Sequence, residues 1–265
     1  NLKAFSRLYG YVKYFHPSDE ARQVDWDKFA AYGAKQVLGI RGRDQLKRVL
    51  IKMFRPIAPT LSLFLSEEKA VFDSAVVYPS KMKDLNMISW QHLGYAPGKQ
   101  KSIYRKVRIG RSDKPIIMKE TLKKGDHLKR DIGKGLTCIM PMVLSGDAQS
   151  TYPKGSPALL HELNKKIDAF SKIHLNIDDR YLWIGNIINA WNVFQHFYPY
   201  FDVVAVDWDK VHLLSLRNIL ASKTVEGYSQ VLDRMVARLE DGHGYVYRGN
   251  SSKKGGLPIR VAYIE

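Results

Sequence analysis

The chain has 265 residues, of which 45% are hydrophobic and 26% charged. That length and balance allow one to three soluble globular domains and exclude a disordered or fibrous class. The formal charge is +16 and there is a single cysteine, Cys138, so an internal disulfide is excluded, while the charge admits an anionic partner.

Much of the charge is local. Residues 99–134 carry 13 Lys/Arg against 4 Asp/Glu. A solvated, lysine-protected β-domain explains such a run, and so does a surface for an acidic glycan; no nucleic-acid motif accompanies it, so no specific nucleic-acid binding is expected. The longest apolar run, Leu136–Leu144, is too short to span a bilayer, so no transmembrane segment is expected.

In chain order, residues 1–60 read as three helices. Phe5, Leu8, Tyr9, Val12 and Phe15 recur at helical spacing, and His16-Pro17 ends that helix. Val24-Asp25-Trp26-Asp27-Lys28 opens a second helix running to about Leu38, with Asp25 as cap and Val24 with Phe29 as staple. A third, capped by Asp44, places Leu46, Val49, Leu50 and Met53 inward.

Residues 61–158 change character. Val71–Tyr78, Asn86–His92, Ser102–Ile109, Ile116–Met118 and Leu136–Leu144 are short β-leaning runs separated by Gly, Pro, Asp and Lys clusters. They predict a mostly antiparallel, sandwich-like β-domain. One candidate binding group stands here: Trp90, His92, Tyr104, Arg105 and Arg108, aromatic and basic side chains suited to a glycan or other anionic polymer.

Residues 159–248 return to helix. Leu159, Leu160, Leu163, Ile167 and Phe170 form one stripe, and Ile184, Ile187, Ile188, Trp191 and Phe194 the next. Val206-Asp207-Trp208-Asp209-Lys210 then repeats the earlier pentapeptide. Pro17 and Pro199, like Trp26 and Trp208, lie 182 positions apart, and core positions match at that offset. The chain therefore reads as α+β: two similar three-helix units, a duplication, with the β-domain inserted between them.

The last helix, with Tyr228, Val231, Leu232, Met235, Val236 and Leu239 on one face, runs into Glu240-Asp241-Gly242-His243-Gly244. Gly242 is expected to be the left-handed residue that stops it. His243 then projects from a tight turn, where an imidazole can serve as a base.

Leu239–Val246 resembles the Asp-Gly-His segment of the tricorn-like and C-terminal-processing (tail-specific) serine peptidases. Leu257-Pro258-Ile259-Arg260-Val261 resembles the strand that follows it, so residues 249–265 are expected to begin a PDZ-like or peptidase domain. Tyr9–Pro17 with Asp25-Trp26-Asp27 resembles the helical N-terminal region of large extracytoplasmic members. Ser89–Gly94 and Gly133–Leu144 resemble their inserted β-domain. The resemblance implies an accessory, non-catalytic region whose peptide or protein substrate is cleaved by a serine-bearing core downstream. It also implies His243 as the candidate base beside Asp241 and Gly242, and an extracytoplasmic location.

No cofactor or metal is expected. His161-Glu162 begins like a zinc helix, but Lys165 stands where the second histidine belongs. Ser80-x-x-Lys83 and Ser251-x-x-Lys254 lack the companion motifs of that spacing.

Overall fold

The computed structural model describes residues 1–78, 85–95, 104–110, 121–242 and 246. His243, Ile116–Met118, both Ser-x-x-Lys runs and the segment 249–265 lie outside the described residues. The fold is α+β, with eight helices and two antiparallel sheets among the described residues.

The helices form where the apolar periodicity places them, although Trp183–Asn192 is buried without a break rather than on one face. α1 spans Leu2–Phe15, α2 Trp26–Leu38 and α3 Arg43–Phe54. A short 3-10 turn, Glu20–Gln23, separates α1 from α2. α3 begins after Gly42, which takes φ 82°, so Asp44 lies in the first turn rather than at the cap. After the sheets come α5 (Pro157–His174), α6 (Arg180–Phe197), α7 (Trp208–Ala221) and α8 (Val225–Ala237). Their starts are fixed by side-chain caps. Asp207 accepts the Lys210 amide at 2.8 Å, and Thr224 accepts that of Gly227 at 3.1 Å.

The β-region differs from the expectation in three places. Val71–Tyr78 is not a strand. The Asp73 carboxylate accepts the amides of Ala75 and Val76, and this local cap turns Ser74–Val77 into one helical turn, α4. Three strands went unread in the sequence, β1 (Ser62–Leu65), β4 (His127–Gly133) and the two-residue β7 (Thr151–Tyr152). The apolar run from Leu136 is two strands, β5 (Leu136–Pro141) and β6 (Val143–Gly146), which belong to different sheets. Between them the Met142 amide turns away to the Asp126 carbonyl at 2.9 Å.

One sheet runs β1-β5-β4, with Leu63 opposite Cys138 and Leu128 opposite Met140. The other runs β3-β2-β6-β7, where β2 is Asn86–Leu93, β3 Arg105–Ile109 and β7 Thr151–Tyr152. Trp90 there lies opposite Arg108, and Ile88 opposite Leu144.

The chain forms two compact units. One is built from Asn1, Lys3–Trp26 and Gln36–Lys166, the other from Leu2, Asp27–Lys35 and the chain from Ile167. α2 is thus divided between them. In the first unit, Phe5, Leu8, Val12, Leu46, Leu50 and Phe54 are buried in the core. In the second, α2 and α6 touch backbone to backbone at Gly185: a Cβ there would meet the Ala31 amide nitrogen at 2.9 Å. No helix among the described residues is long and apolar enough to cross a membrane.

Candidate functional sites: the α8 corner and the β2–β3 face

Helix α8 buries Tyr228, Val231, Leu232, Met235 and Val236, and Leu239 just beyond its end is 1% exposed. The left-handed residue at this corner is Glu240, with φ 52°, and not Gly242. Closure falls two residues earlier than the glycine, because the Leu239 and Glu240 amides already bond back to Val236 and Ala237. The corner is also held from outside α8. The Tyr198 hydroxyl, just past α6, donates to the Leu239 carbonyl at 3.2 Å. Partial burial raises the Tyr198 pKa, and the nearby Asp241 carboxylate adds to that effect. Asp241 is half-buried and Gly242 exposed. Asp241 and Gly242 therefore leave from a fixed point.

The first helical stretch has a bond at the same place in its own sequence. The Ser18 hydroxyl donates to the Ile57 carbonyl at 2.7 Å. Ile57 lies 182 positions before Leu239. Here the fastening group comes from the turn after α1, as Tyr198 comes from the turn after α6.

That turn, His16-Pro17-Ser18-Asp19, organises the second candidate region. The Trp90 indole donates to the His16 carbonyl at 3.1 Å, and Arg108 donates to the Pro17 carbonyl. Arg108 also pairs with the Asp19 carboxylate at 2.5 Å. Asp19 in turn accepts the Thr151 amide at 2.7 Å, so the turn reaches β7 as well as β2 and β3. His92 donates from Nε2 to the Tyr14 carbonyl at 2.7 Å, and its ring meets Phe15 edge-on at 5.7 Å. Burial lowers the His92 pKa, only partly opposed by that bond.

Three of the five residues expected to bind a polymer are thus engaged in packing the sheet on the end of α1. Arg108 is 2% exposed, and Trp90 and His92 are half-buried. Tyr104 lies against Gly94, whose missing side chain leaves room for the ring. Arg105 is exposed, but it stands opposite Leu93 on the other face of the strand from Arg108. The five side chains do not form one open surface, because the turn after α1 covers the face that carries Trp90, His92 and Arg108.

Sequence reasoning also missed His16. Its Nδ1 lies 2.9 Å from the Ser18 hydroxyl and 3.2 Å from the Ser18 amide, and its Nε2 lies 2.9 Å from the Thr60 hydroxyl. The ring is fully buried. That burial, followed by the Arg108 charge, pushes its pKa down to about 3. A serine beside an imidazole invites a nucleophile–base reading. Here Ser18 is sealed from solvent and gives its proton to Ile57, so the pair is a structural knot.

Among the described residues no group of His, Cys, Asp and Glu is placed to hold a metal, and His161 stands exposed on α5. Cys138 is buried in β5, and burial pushes its thiol up to about 12. It is therefore not a reactive thiolate. The chain matches no known protein family, no curated protein and no solved structure.

Proposed function

We propose that this chain is the accessory region of a serine peptidase of the tricorn-like and C-terminal-processing kind, working outside the cytoplasm. In this reading the helices and sheets form a scaffold. The turn after α8 presents His243 as general base to a serine carried by a separate catalytic core, which cleaves a peptide or protein substrate.

The observation that carries the reading is the construction of the α8 corner. Tyr198 fastens the Leu239 carbonyl, Glu240 closes the helix in the left-handed region, and Asp241 follows half-buried. A base must sit within hydrogen-bond reach of the proton it takes, so the run before it needs a rigid origin. The resemblance of Leu239–Val246 to the family's Asp-Gly-His segment supports the same assignment.

The test joins the chain to the coding sequence downstream of Glu265 and assays a fluorogenic peptide and labelling by a fluorophosphonate. Serine labelling together with turnover that falls about 10²–10⁴-fold in His243→Ala is the expected result, the usual contribution of a positioned base. Full turnover in His243→Ala removes the histidine from the mechanism. No labelled serine removes the peptidase reading altogether.

A further inference from the structure

A second group of chemistry-bearing side chains lies in the same compact unit as the α8 corner, but far from it in sequence. Asp179 caps α6: one carboxylate oxygen accepts the Tyr181 amide at 2.7 Å. Its other oxygen takes the Nδ1 proton of His174 at 2.9 Å. With Nδ1 protonated, Nε2 of the neutral ring is an acceptor. That nitrogen faces the Lys35 amine, 2.8 Å away.

The ring is held as well as oriented. Phe170 stacks on it at 4.7 Å, and Tyr181 meets it edge-on at 5.3 Å. The same two aromatic rings flank Lys35, at 5.5 and 5.6 Å from its nitrogen. Lys35 itself is exposed.

Other lysines of this protein rest on carboxylates: Lys28 on Asp168, Lys47 on Glu68, Lys166 on Glu162. Lys35 has no carboxylate partner among the described residues. Its polar neighbour is a base. Carboxylate, imidazole and amine thus stand in the order that activates a nucleophile in acyl transfer, with an amine in the place of a hydroxyl.

We propose that Lys35 is a reactive amine, acylated by small activated acyl donors such as thioesters, with His174 as its base and Asp179 as the residue that positions the base. The reacting species is the neutral Lys35 amine, formed after the ammonium has released one proton to solvent; its nitrogen attacks the thioester carbonyl and an N–C bond forms. The proton leaving the nitrogen passes to Nε2 of His174. The C–S bond then breaks, and the departing thiolate takes that proton. The product is a neutral amide at Lys35 and a free thiol. The inference is independent of the peptidase reading.

The test treats the whole chain with the acetyl thioester of N-acetylcysteamine and follows each lysine by peptide mass spectrometry. Lys172 and Lys210, both exposed, are the references. Lys35 is expected to acetylate at least about tenfold faster than they do, a conservative share of what a positioned base supplies. His174→Gln should bring Lys35 to within about twofold of the references. It should also remove the imidazole inflection from the pH profile of the Lys35 rate. Asp179→Asn keeps a helix cap and should give an intermediate rate. Should His174→Gln lose its fold, Asp179→Asn and the pH profile of the unaltered protein decide. Equal rates at Lys35 and the references, or a Lys35 rate indifferent to Asp179→Asn and without the inflection, overturn the proposal.

Discussion

The Tyr9 hydroxyl donates to the Trp26 carbonyl at 3.1 Å, closing α1 onto the first residue of α2. Exactly one offset of 182 later, Trp191 donates from its indole to the Trp208 carbonyl at 3.0 Å, closing α6 onto the first residue of α7. Trp208 returns the bond to the Trp191 carbonyl at 3.2 Å, whereas Trp26 donates to Ala21 at 2.8 Å. The donor type differs between the two stretches, while the accepting carbonyl belongs to a tryptophan at the start of a helix in both. Both donors are buried, at 0% and 2% exposure. Removing one leaves an acceptor short of a partner inside the protein. Tyr9→Phe is therefore expected to cost about 1–3 kcal/mol. Urea unfolding at neutral pH measures it, and an unchanged midpoint would show that the bond carries no net stability.

The Arg108–Asp19 pair gives a sharper test, because it separates a binding role from a packing role. Arg108 is sealed beneath the turn after α1 and also supports the Pro17 carbonyl. The Asp19 carboxylate left behind is half-buried and keeps the Thr151 amide, so losing the charged hydrogen bonds of Arg108 costs about 1.5–3 kcal/mol. Arg108→Ala is expected to lose stability on that scale. Retention of any heparin or polyphosphate by the protein is expected to follow the exposed Arg105 and Lys106 instead. A stable Arg108→Ala variant with weakened polymer binding would restore the open-surface reading.

How far the sequence could be read depended on which signals were local. The helices were legible because Phe5, Leu8 and Val12, or Ile184, Ile187 and Trp191, repeat at the helical period and are buried as that period requires. β4 was not legible, because Ile132 is its one fully buried residue and His127, Lys129, Arg130 and Asp131 are polar or charged. Trp90, His92 and Arg108 looked like a surface because alternation fixes which face a side chain shares, not what later covers that face. Nothing in the local pattern announces that His16-Pro17-Ser18-Asp19 folds over it. Nor does composition place the left-handed turn at Glu240 when a glycine stands two residues on. The Asp179–His174–Lys35 line joins three helical segments, so only the tertiary fold could assemble it.

Gly185 marks a close approach that a methyl group cannot share. Its added carbon would sit 2.9 Å from the Ala31 amide nitrogen and 3.1 Å from the Ala31 Cα, both backbone atoms. Such overpacking typically costs about 1–3 kcal/mol, which outweighs the few tenths to one that alanine gains over glycine within a helix. Gly185→Ala is therefore expected to destabilise the second unit despite better helix propensity. Thermal unfolding decides the sign, and a rise in the midpoint would mean that α2 and α6 separate readily.

His16 sets the acid limit of the fold. Its imidazole is held neutral in the folded protein, with a pKa near 3 against an ordinary value of 6.5, because burial disfavours the charge. The unfolded chain accepts a proton below pH 6.5 that the folded chain refuses. The contribution is therefore intact above pH 6.5 and is lost as the pH falls from there toward 3, at about 1.4 kcal/mol for each unit. At pH 5 the loss from this residue reaches about 2 kcal/mol relative to pH 7. His16→Gln removes the titration while keeping a side chain that can reach Thr60. Its stability at pH 7 should be lower, and its decline between pH 7 and pH 5 should be shallower by that amount. Urea midpoints for both proteins across this range give the answer. Parallel declines would mean that His16 is protonated in the folded state, and so that the knot opens to water.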